Sequence, residues 1–104
     1  MLTIEDALAH LGIDYTDDVV RRNVTSALND ARGYLRGAVG DDIYKYLPDD
    51  PRVDRLEKCY LTDLYEERGT SAKAGNATRH MVLSMEQQLR LELVRAREAA
   101  GVSV

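Results

Sequence analysis

Histidine and cysteine, which often act as metal ligands or catalytic groups, are present in this chain, but their spacing does not match a metal-binding or catalytic motif. His10 and His80 lie far apart, and neither belongs to an HxxxH or ExxH pair of the kind that binds zinc. Cys59 is the single cysteine, so it has neither a CxxC partner nor an internal disulfide partner. We therefore expect Cys59 to be a small buried side chain in a reducing compartment, and we predict no metal and no cofactor.

Pairs of adjacent aspartates could work as general acid and base only if the fold brought them into a cleft. The pairs are Asp17-Asp18, Asp41-Asp42 and Asp49-Asp50. Two pairs lie at predicted helix starts and one follows a glycine, positions where aspartate serves capping and turns. The run 37–40 (GAVG) lacks the Lys-Ser/Thr of a phosphate-binding loop, and no serine lies in a nucleophile elbow. The sequence therefore predicts a protein that is not an enzyme.

The composition is that of one small globular domain. The chain has 104 residues, of which 44% are hydrophobic and 31% are charged, enough apolar material for one core. No apolar run is long enough to span a membrane, and the N-terminus lacks a signal pattern. We therefore expect neither a membrane span nor secretion. A net charge of −4 argues against non-specific DNA binding by the whole surface.

The charge is unevenly distributed along the chain. Residues 1–50 carry ten acidic and five basic side chains, whereas residues 68–104 carry three acidic and six basic ones. The acidic half of one copy could dock on the basic end of another. The alternative is an ordinary solvated surface with uneven charge, and the sequence alone leaves both readings open.

The longest predicted element is a helix over residues 77–97, which contain neither Pro nor Gly. Its apolar residues recur every four positions, as on one face of a helix. They are Met81, Met85, Leu89 and Leu93. At 1.5 Å per residue the helix is a rod roughly 30 Å long, so the shorter helices must pack against it.

Start signals divide the rest of the chain into three shorter helices. Thr3 is expected to cap the first, and Thr16 or Asp17 the second. Asp50 followed by Pro51 is typical of the start of the third. The predicted spans are 3–11, 17–36 and 51–68.

The predicted fold class is therefore all-α, a small bundle of about four helices with a long C-terminal helix. We expect one domain over 1–97 and a flexible tail over 98–104. One further helical turn is possible in 41–50 (DDIYKYLPDD). The apolar stripe predicted for the helix over 51–68 consists of Val53, Leu56, Tyr60 and Leu64, flanked by Leu61.

The long helix carries more apolar residues than one stripe needs. Leu83, Leu91 and Val94 lie off the stripe or broaden it. These side chains meet either other helices of the same chain or a second chain, and the sequence leaves both possibilities open. Because the chain has no Trp and no Phe, oligomerisation would bury apolar area that a single copy lacks.

Four stretches in this order resemble the small head–tail connector proteins of tailed double-stranded-DNA phages. They are 35–40 (LRGAVG), 47–52 (LPDDPR), 62–69 (TDLYEERG) and 84–93 (SMEQQLRLEL). These proteins are also called head-completion or adaptor proteins, or DNA-packaging proteins. One branch has a Gln-Leu-Arg-Gly signature in its last helix. Gln88-Leu89-Arg90 matches it, and Leu91 stands where the signature has Gly.

The resemblance implies an all-helical structural virion protein of a phage or prophage, without catalysis. About a dozen copies would form a ring on the portal protein after DNA packaging. The ring would extend the DNA channel without sequence-specific binding and support a stopper or tail-completion protein. The implied location is the head–tail interface of the virion, and the host cytoplasm during assembly.

The resemblance also suggests where contacts are made. The portal or subunit interface is expected at Leu83, Leu91, Arg90, Arg95 and Arg97. The loop that lines the channel or touches a neighbour is expected at Arg68, Lys73 and Arg79. Solvation is the alternative for all six basic residues.

Two other classes of function stay open. A DNA-binding helical domain would need a basic recognition helix, but the long helix places Glu86 and Glu92 around Arg90. A small regulatory or scaffolding module would bind one partner as a fixed dimer.

Overall fold

The computed structural model describes residues 1–14, 17–66 and 76–101. This part of the chain folds into α-helices and contains no strand. The helices are α1 (Ile4–His10), α2 (Asp18–Val39), α3 (Ile43–Tyr46), α4 (Pro51–Glu66) and α5 (Asn76–Ala99). The predicted all-α bundle is confirmed, and α3 adds a one-turn helix to the four that were predicted.

The observed helix bounds differ from the predicted ones mainly at the C-terminal ends. α2 runs past residue 36 because Gly37 stays helical, and the chain leaves the helix only at Gly40. α5 continues through Ala99, so the first two residues of the predicted tail are helical. The last two residues of the predicted span 51–68 lie outside the described residues.

The helix start signals work as the sequence predicts. Thr3 accepts a hydrogen bond from the backbone N–H of Asp6, whose carboxylate accepts one from the backbone N–H of Thr3, so a complete capping box opens α1. Asp17 rather than Thr16 caps α2, accepting from the N–H of Val20 at 2.8 Å. These bonds satisfy N–H groups that the first helical turn leaves without partners.

Two adjoining apolar clusters form the core, and α2 and α4 contribute to both. The first cluster joins α2 and α4 to α3 and α5 and consists of Ala31, Leu35, Ile43, Val53, Leu56, Tyr60, Met85, Leu89 and Leu93. The second joins α2 and α4 to α1 and consists of Leu2, Ala7, Leu8, Val24, Ala27, Leu28 and Leu61. The pair α2–α4 is therefore the centre of the fold.

Two members of the predicted stripes are not in the core. Leu61 is fully buried against α1, whereas Leu64, which the period of four favours, is exposed near the end of α4. Met81 is likewise exposed and lies outside both core clusters, although Met85 and Leu89 on the same stripe are buried. The predictions for Leu64 and Met81 are wrong, since burial depends on which neighbouring helices a side chain meets and not on the helical period alone.

A buried carboxylate ties four segments together. Glu57 of α4 is fully buried, and its Oε1 accepts the backbone N–H of Leu2 at 2.7 Å. Its Oε2 accepts the Nε–H of Arg32 at 3.1 Å and the hydroxyl of Tyr44 at 2.7 Å. The Arg32 guanidinium also donates to the carbonyl of Leu2. Removing one partner of such a buried pair typically costs about 3–5 kcal/mol, because the other charge stays buried.

The Tyr44 hydroxyl stays protonated in this cluster. Burial, and then the hydrogen bond to Glu57, raises the pKa of Tyr44 well above its ordinary value. The hydroxyl therefore remains a donor to Glu57 near neutral pH, and this bond joins α3 to α4.

Gly40 allows α5 to approach the end of α2. Its φ is 156°, and a Cβ built there would lie 2.6 Å from Cδ2 of Leu93. We predict that Gly40→Ala destabilises the protein by about 2 kcal/mol or more, through backbone strain and overpacking. Urea unfolding followed by circular dichroism measures the change.

Gly37→Ala is the matched control, because a Cβ on Gly37 meets no atom within 4 Å. Gly37 lies inside α2, so this substitution should stabilise the protein by about 0.5–1 kcal/mol. Equal effects of the two substitutions would contradict the close approach at Gly40.

Candidate interaction surface

α2 and α5 lie side by side and run in the same direction. Tyr34 and Glu86 line one groove, and the Arg90 Nε–H donates to the carbonyl of Ala38 at 2.7 Å. Further along, Arg97 reaches Asp42, just past the end of α2. Residue numbers on both sides of these contacts increase in the same direction, so α2 and α5 form a parallel pair.

α4 covers one side of this pair, and the opposite side is open. The buried side chains of α4 belong to the same core cluster as those of α2 and α5. On the open side, large apolar side chains reach solvent, among them Tyr34 at 62%, Leu83 at 54% and Leu91 at 62% exposure. We call this surface the α2–α5 face. It consists of Val19, Ser26, Asp30, Tyr34 and Gly37 of α2 and of Leu83, Gln87, Leu91 and Val94 of α5.

Helical spacing shows that each set of residues shares one side of its helix. At about 100° per residue, the five α2 residues fall within an arc of about 80°, as do the four α5 residues. Most of the large apolar side chains that are exposed in the described residues lie on this one face rather than being scattered. Such a concentration is typical of a surface that another protein covers.

Two shallow grooves follow α2 along this face. One of about 420 Å³ lies between α2 and α4, and one of about 340 Å³ lies between α2 and α5. They are lined by Asn23, Ser26, Ala27, Asp30, Leu64 and Tyr65, and by Tyr34, Gly37, Ala38 and Glu86. The lining includes two carboxylates and no basic group. Small side chains on α2 would let another chain approach closely.

A hydrogen bond between α4 and α5 holds Glu86, a residue that lines the groove between α2 and α5. The Tyr60 hydroxyl donates to Oε2 of the buried Glu86, and the ring of Tyr34 lies 4.8 Å from that of Tyr60 between centroids. Burial, and then this bond to Glu86, raises the pKa of Tyr60. The Tyr60 hydroxyl therefore remains the donor of the bond that joins α4 to α5 near neutral pH.

The residues predicted as the portal or subunit interface divide into two groups. Leu83, Leu91 and Arg95 are exposed, and among the described residues Arg95 forms its ion pair with Glu92 of its own helix, at 3.1 Å. Leu83 and Leu91 therefore meet no other helix of the described chain, and their contact with a second chain stays a prediction. Arg90 and Arg97 instead join α5 to the end of α2 and the turn after it.

The predicted channel loop falls mostly outside the described residues. Arg68 and Lys73 lie in the undescribed stretch 67–75, and Arg79 is exposed in the first turns of α5. The hypothesis that these residues line a channel stays a prediction.

The three matched signature residues each make a contact that holds α5 in the bundle. Gln88 accepts a hydrogen bond from Arg52 of α4 at 3.3 Å, and Leu89 is fully buried. Arg90 donates to the end of α2 as described above. Leu91, at the position that departs from the signature, points to solvent on the α2–α5 face.

Residues that the sequence suggested for chemistry have structural roles here. His10 Nε2 lies 2.8 Å from the hydroxyl of Thr62, which joins α1 to α4. Burial, and then the charge of Asp63, raises the pKa of the half-buried Cys59 thiol, which makes it a poor nucleophile at neutral pH. Within the described ranges, no three His, Cys, Asp or Glu side chains are placed to hold a metal ion.

Sequence reasoning missed the grooves and both buried glutamates. The available signal was the small residues of α2, which recur on one side of that helix as Ser26, Gly33 and Gly37. No sequence pattern distinguishes Glu57 and Glu86 from surface glutamates, because their partners come from other helices.

No helix in the described part of the chain is both long and apolar enough to cross a membrane.

In comparisons with known proteins, no family model, no curated protein and no solved structure matches this chain. The resemblance to connector proteins therefore rests on the four stretches quoted above.

The exposure of Leu83 leads to a direct prediction about α5. Leu83→Glu should change the free energy of unfolding by about 0.5 kcal/mol or less, because the new carboxylate stays in water. It should also weaken any self-association through the α2–α5 face. Circular dichroism during urea unfolding, with sedimentation velocity, measures both effects.

Leu89→Glu is the matched reference on the same helix. Leu89 is fully buried, so this substitution should cost more than about 4 kcal/mol or unfold the chain. A loss of helix in Leu83→Glu comparable to that in Leu89→Glu would place Leu83 in the core.

The Asp42–Arg97 pair leads to a prediction about acid stability. Arg97 donates two hydrogen bonds, of 2.8 and 2.5 Å, that lower the pKa of Asp42. Because the folded-state pKa of Asp42 is lowered, the pair stabilises the fold at pH values above the pKa of an ordinary aspartate, about 4. This stabilisation is lost as the pH falls through the folded-state pKa. Asp42→Asn should therefore be less stable than the wild type at neutral pH, and the gap should narrow in acid.

Urea midpoints from neutral pH down to about pH 3 test this linkage. Asp41→Asn is the matched control, because the neighbouring Asp41 is exposed, and it should follow the wild-type curve. A constant gap between Asp42→Asn and the wild type across this range would contradict the prediction.

Proposed function

We propose that this chain is a head–tail connector of a tailed phage or prophage, a structural protein that forms a ring on the portal after DNA packaging. The observation that carries the proposal is the open α2–α5 face, with its exposed Tyr34, Leu83 and Leu91. A single copy leaves this apolar surface in water, and a neighbouring copy in a ring would cover it. The resemblance of the four sequence stretches supports the same function.

The shape of the protein fits this role. The Cα atoms extend 45 × 32 × 18 Å, with a radius of gyration of 14.7 Å, compared with about 13 Å for a compact domain of this size. A flattened molecule exposes more surface than a compact one and has broad faces for neighbours. Modest contacts repeated by symmetry can then hold a ring together.

The proposed partners follow from the ring. One side would contact the portal and the other a stopper or tail-completion protein, and packaged DNA would pass through without sequence-specific contacts. Arg95 is free of the bundle and is the better candidate for a portal contact. Arg97 would have to leave Asp42 before it could contact the portal.

A dimeric interaction module is the second candidate, because the same apolar face could also pair with its own copy. That module would stop at two copies and would have no affinity for a portal ring. A DNA-binding domain finds less support, since the grooves of the α2–α5 face are lined by carboxylates.

Native mass spectrometry of the purified chain over a wide concentration range tests the proposed function. We expect a closed species of about a dozen copies. A constant dimer at every concentration would contradict the connector function and favour the module. A chain that stays monomeric and also fails to sediment with portal rings of the same phage would contradict both self-assembly and portal binding.

A further inference from the structure

The C-terminal end of α5 is attached to the bundle differently from the middle of the helix. Leu93 is the last buried residue of α5, and residues 94–101 belong to neither core cluster. We call residues 94–101, which make up about two turns, the α5 end. Core packing therefore stops at Leu93, and the α5 end needs another contact if it is to be held in place.

Arg97 supplies that contact. Within the described residues, its side chain makes the only hydrogen bonds and the only ion pair between the α5 end and another segment. The Nε–H of Arg97 donates to Oδ2 of Asp42 at 2.8 Å, and an N–H on Nη2 donates to Oδ1 at 2.5 Å. Arg95 instead pairs with Glu92 of its own helix. The α5 end is therefore joined to the turn after α2 by one bidentate pair.

The carboxylate of Asp42 is committed to Arg97 rather than to the helix that follows it. Asp42 directly precedes α3, the position at which an aspartate usually caps a helix, but its side chain makes no capping hydrogen bond. Thr3 and Asp17, which do cap their helices, have extended backbones with ψ of 168° and 176°, whereas ψ of Asp42 is 15°. The turn is thus arranged for a contact with α5 and not for a local cap.

Gly40 makes room for this contact. A Cβ built on Gly40 would lie 3.1 Å from Nη2 of Arg97. The missing side chain therefore lets the guanidinium pass close to the backbone on its way to Asp42.

We propose that the Asp42–Arg97 pair is a latch, and that the α5 end opens as a separate unit when this latch is released. In the closed state the pair holds the α5 end against the turn after α2. In the open state the core stays packed through Leu93, while the α5 end loses its fixed position. The guanidinium of Arg97 is then free to bind an anionic group of another molecule, so Asp42 acts as an intramolecular competitor.

The alternative is that α5 is a rigid rod whose end needs no latch. Residues 77–99 contain neither Pro nor Gly, so the backbone hydrogen bonds of the helix could hold the α5 end without help from Arg97. Loss of the pair would then change the surface charge and nothing else. The two arrangements differ in how often the backbone hydrogen bonds of the α5 end open, which amide hydrogen exchange measures.

The experiment compares Arg97→Gln and Asp42→Asn with the wild type in dilute solution at neutral pH. Asn caps helices about as well as Asp does, so Asp42→Asn removes the charge of the latch without removing a potential cap. Arg95→Gln is the matched control, because it is the same substitution on the same helix and leaves the Asp42–Arg97 pair intact. Mass spectrometry of fragments that separate residues 82–93 from the α5 end measures the exchange, and circular dichroism checks folding.

We expect amides of the α5 end to exchange about five- to tenfold faster in both latch variants, because the closed state has lost its contact. Residues 82–93 should change by less than about twofold, since their core packing is untouched, and so should the α5 end of Arg95→Gln. Combining Asp42→Asn with Arg97→Gln should accelerate exchange no further than either substitution alone, because both remove the same contact.

Each of three other results would overturn the inference. Unchanged exchange of the α5 end in both latch variants would mean that the helix holds its own end. Equal acceleration in residues 82–93 would mean that the pair controls all of α5 and not a separate unit. An equal effect of Arg95→Gln would assign the change to positive charge at the helix C-terminus rather than to the contact with Asp42.

The latch does not rest on the proposed function, and the two fail separately. Exchange is measured on the isolated chain and assembly by native mass spectrometry. A latch in a chain that neither assembles nor binds a portal would keep this inference and contradict the connector. A ring whose subunits show no latch would do the reverse.

Discussion

The carboxylate of Glu57 has no access to water, and the arrangement of the helices follows from how it is satisfied. Each partner that it binds comes from a different segment: Leu2 precedes α1, Arg32 lies in α2 and Tyr44 lies in α3. A buried charge that lost one of these partners would be costly. The cluster therefore fixes α1, α2 and α3 relative to α4. The Tyr60–Glu86 and Asp42–Arg97 contacts extend the same frame to α5.

This frame explains why the α2–α5 face is open. Among the described residues, α4 packs against both helices of the α2–α5 pair, α1 packs against α2 and α3 packs against α5. The apolar side chains of the other side, such as Leu83 and Leu91, have no helix of the described chain to pack against. The polar contacts hold α2 and α5 in place without that cover. The apolar side chains of this face therefore stay in water in a single copy.

The sequence predicts where the helices begin and which central residues are buried, but it predicts the burial of residues near helix ends less well. Capping by Thr3 and Asp17, the start at Pro51 and the buried Leu89 and Leu93 follow from local chemistry and from periodicity. The burial of Leu61 and the exposure of Leu64 do not follow from them, because Leu61 packs against α1 whereas Leu64 lies outside both core clusters. Glu57 and Glu86 could not be identified as buried, since their partners lie 13 to 55 residues away. Leu83 and Leu91 were predicted at an interface, whereas the grooves of α2 became apparent only in three dimensions.

The central proposal is that copies of this chain assemble into a closed ring. Negative-stain electron microscopy of the assembled wild-type chain tests it most directly, because class averages show both closure and symmetry. The account predicts ring-shaped particles with one rotational axis, a central opening and about a dozen repeats. Compact particles with two-fold symmetry and no opening would contradict it.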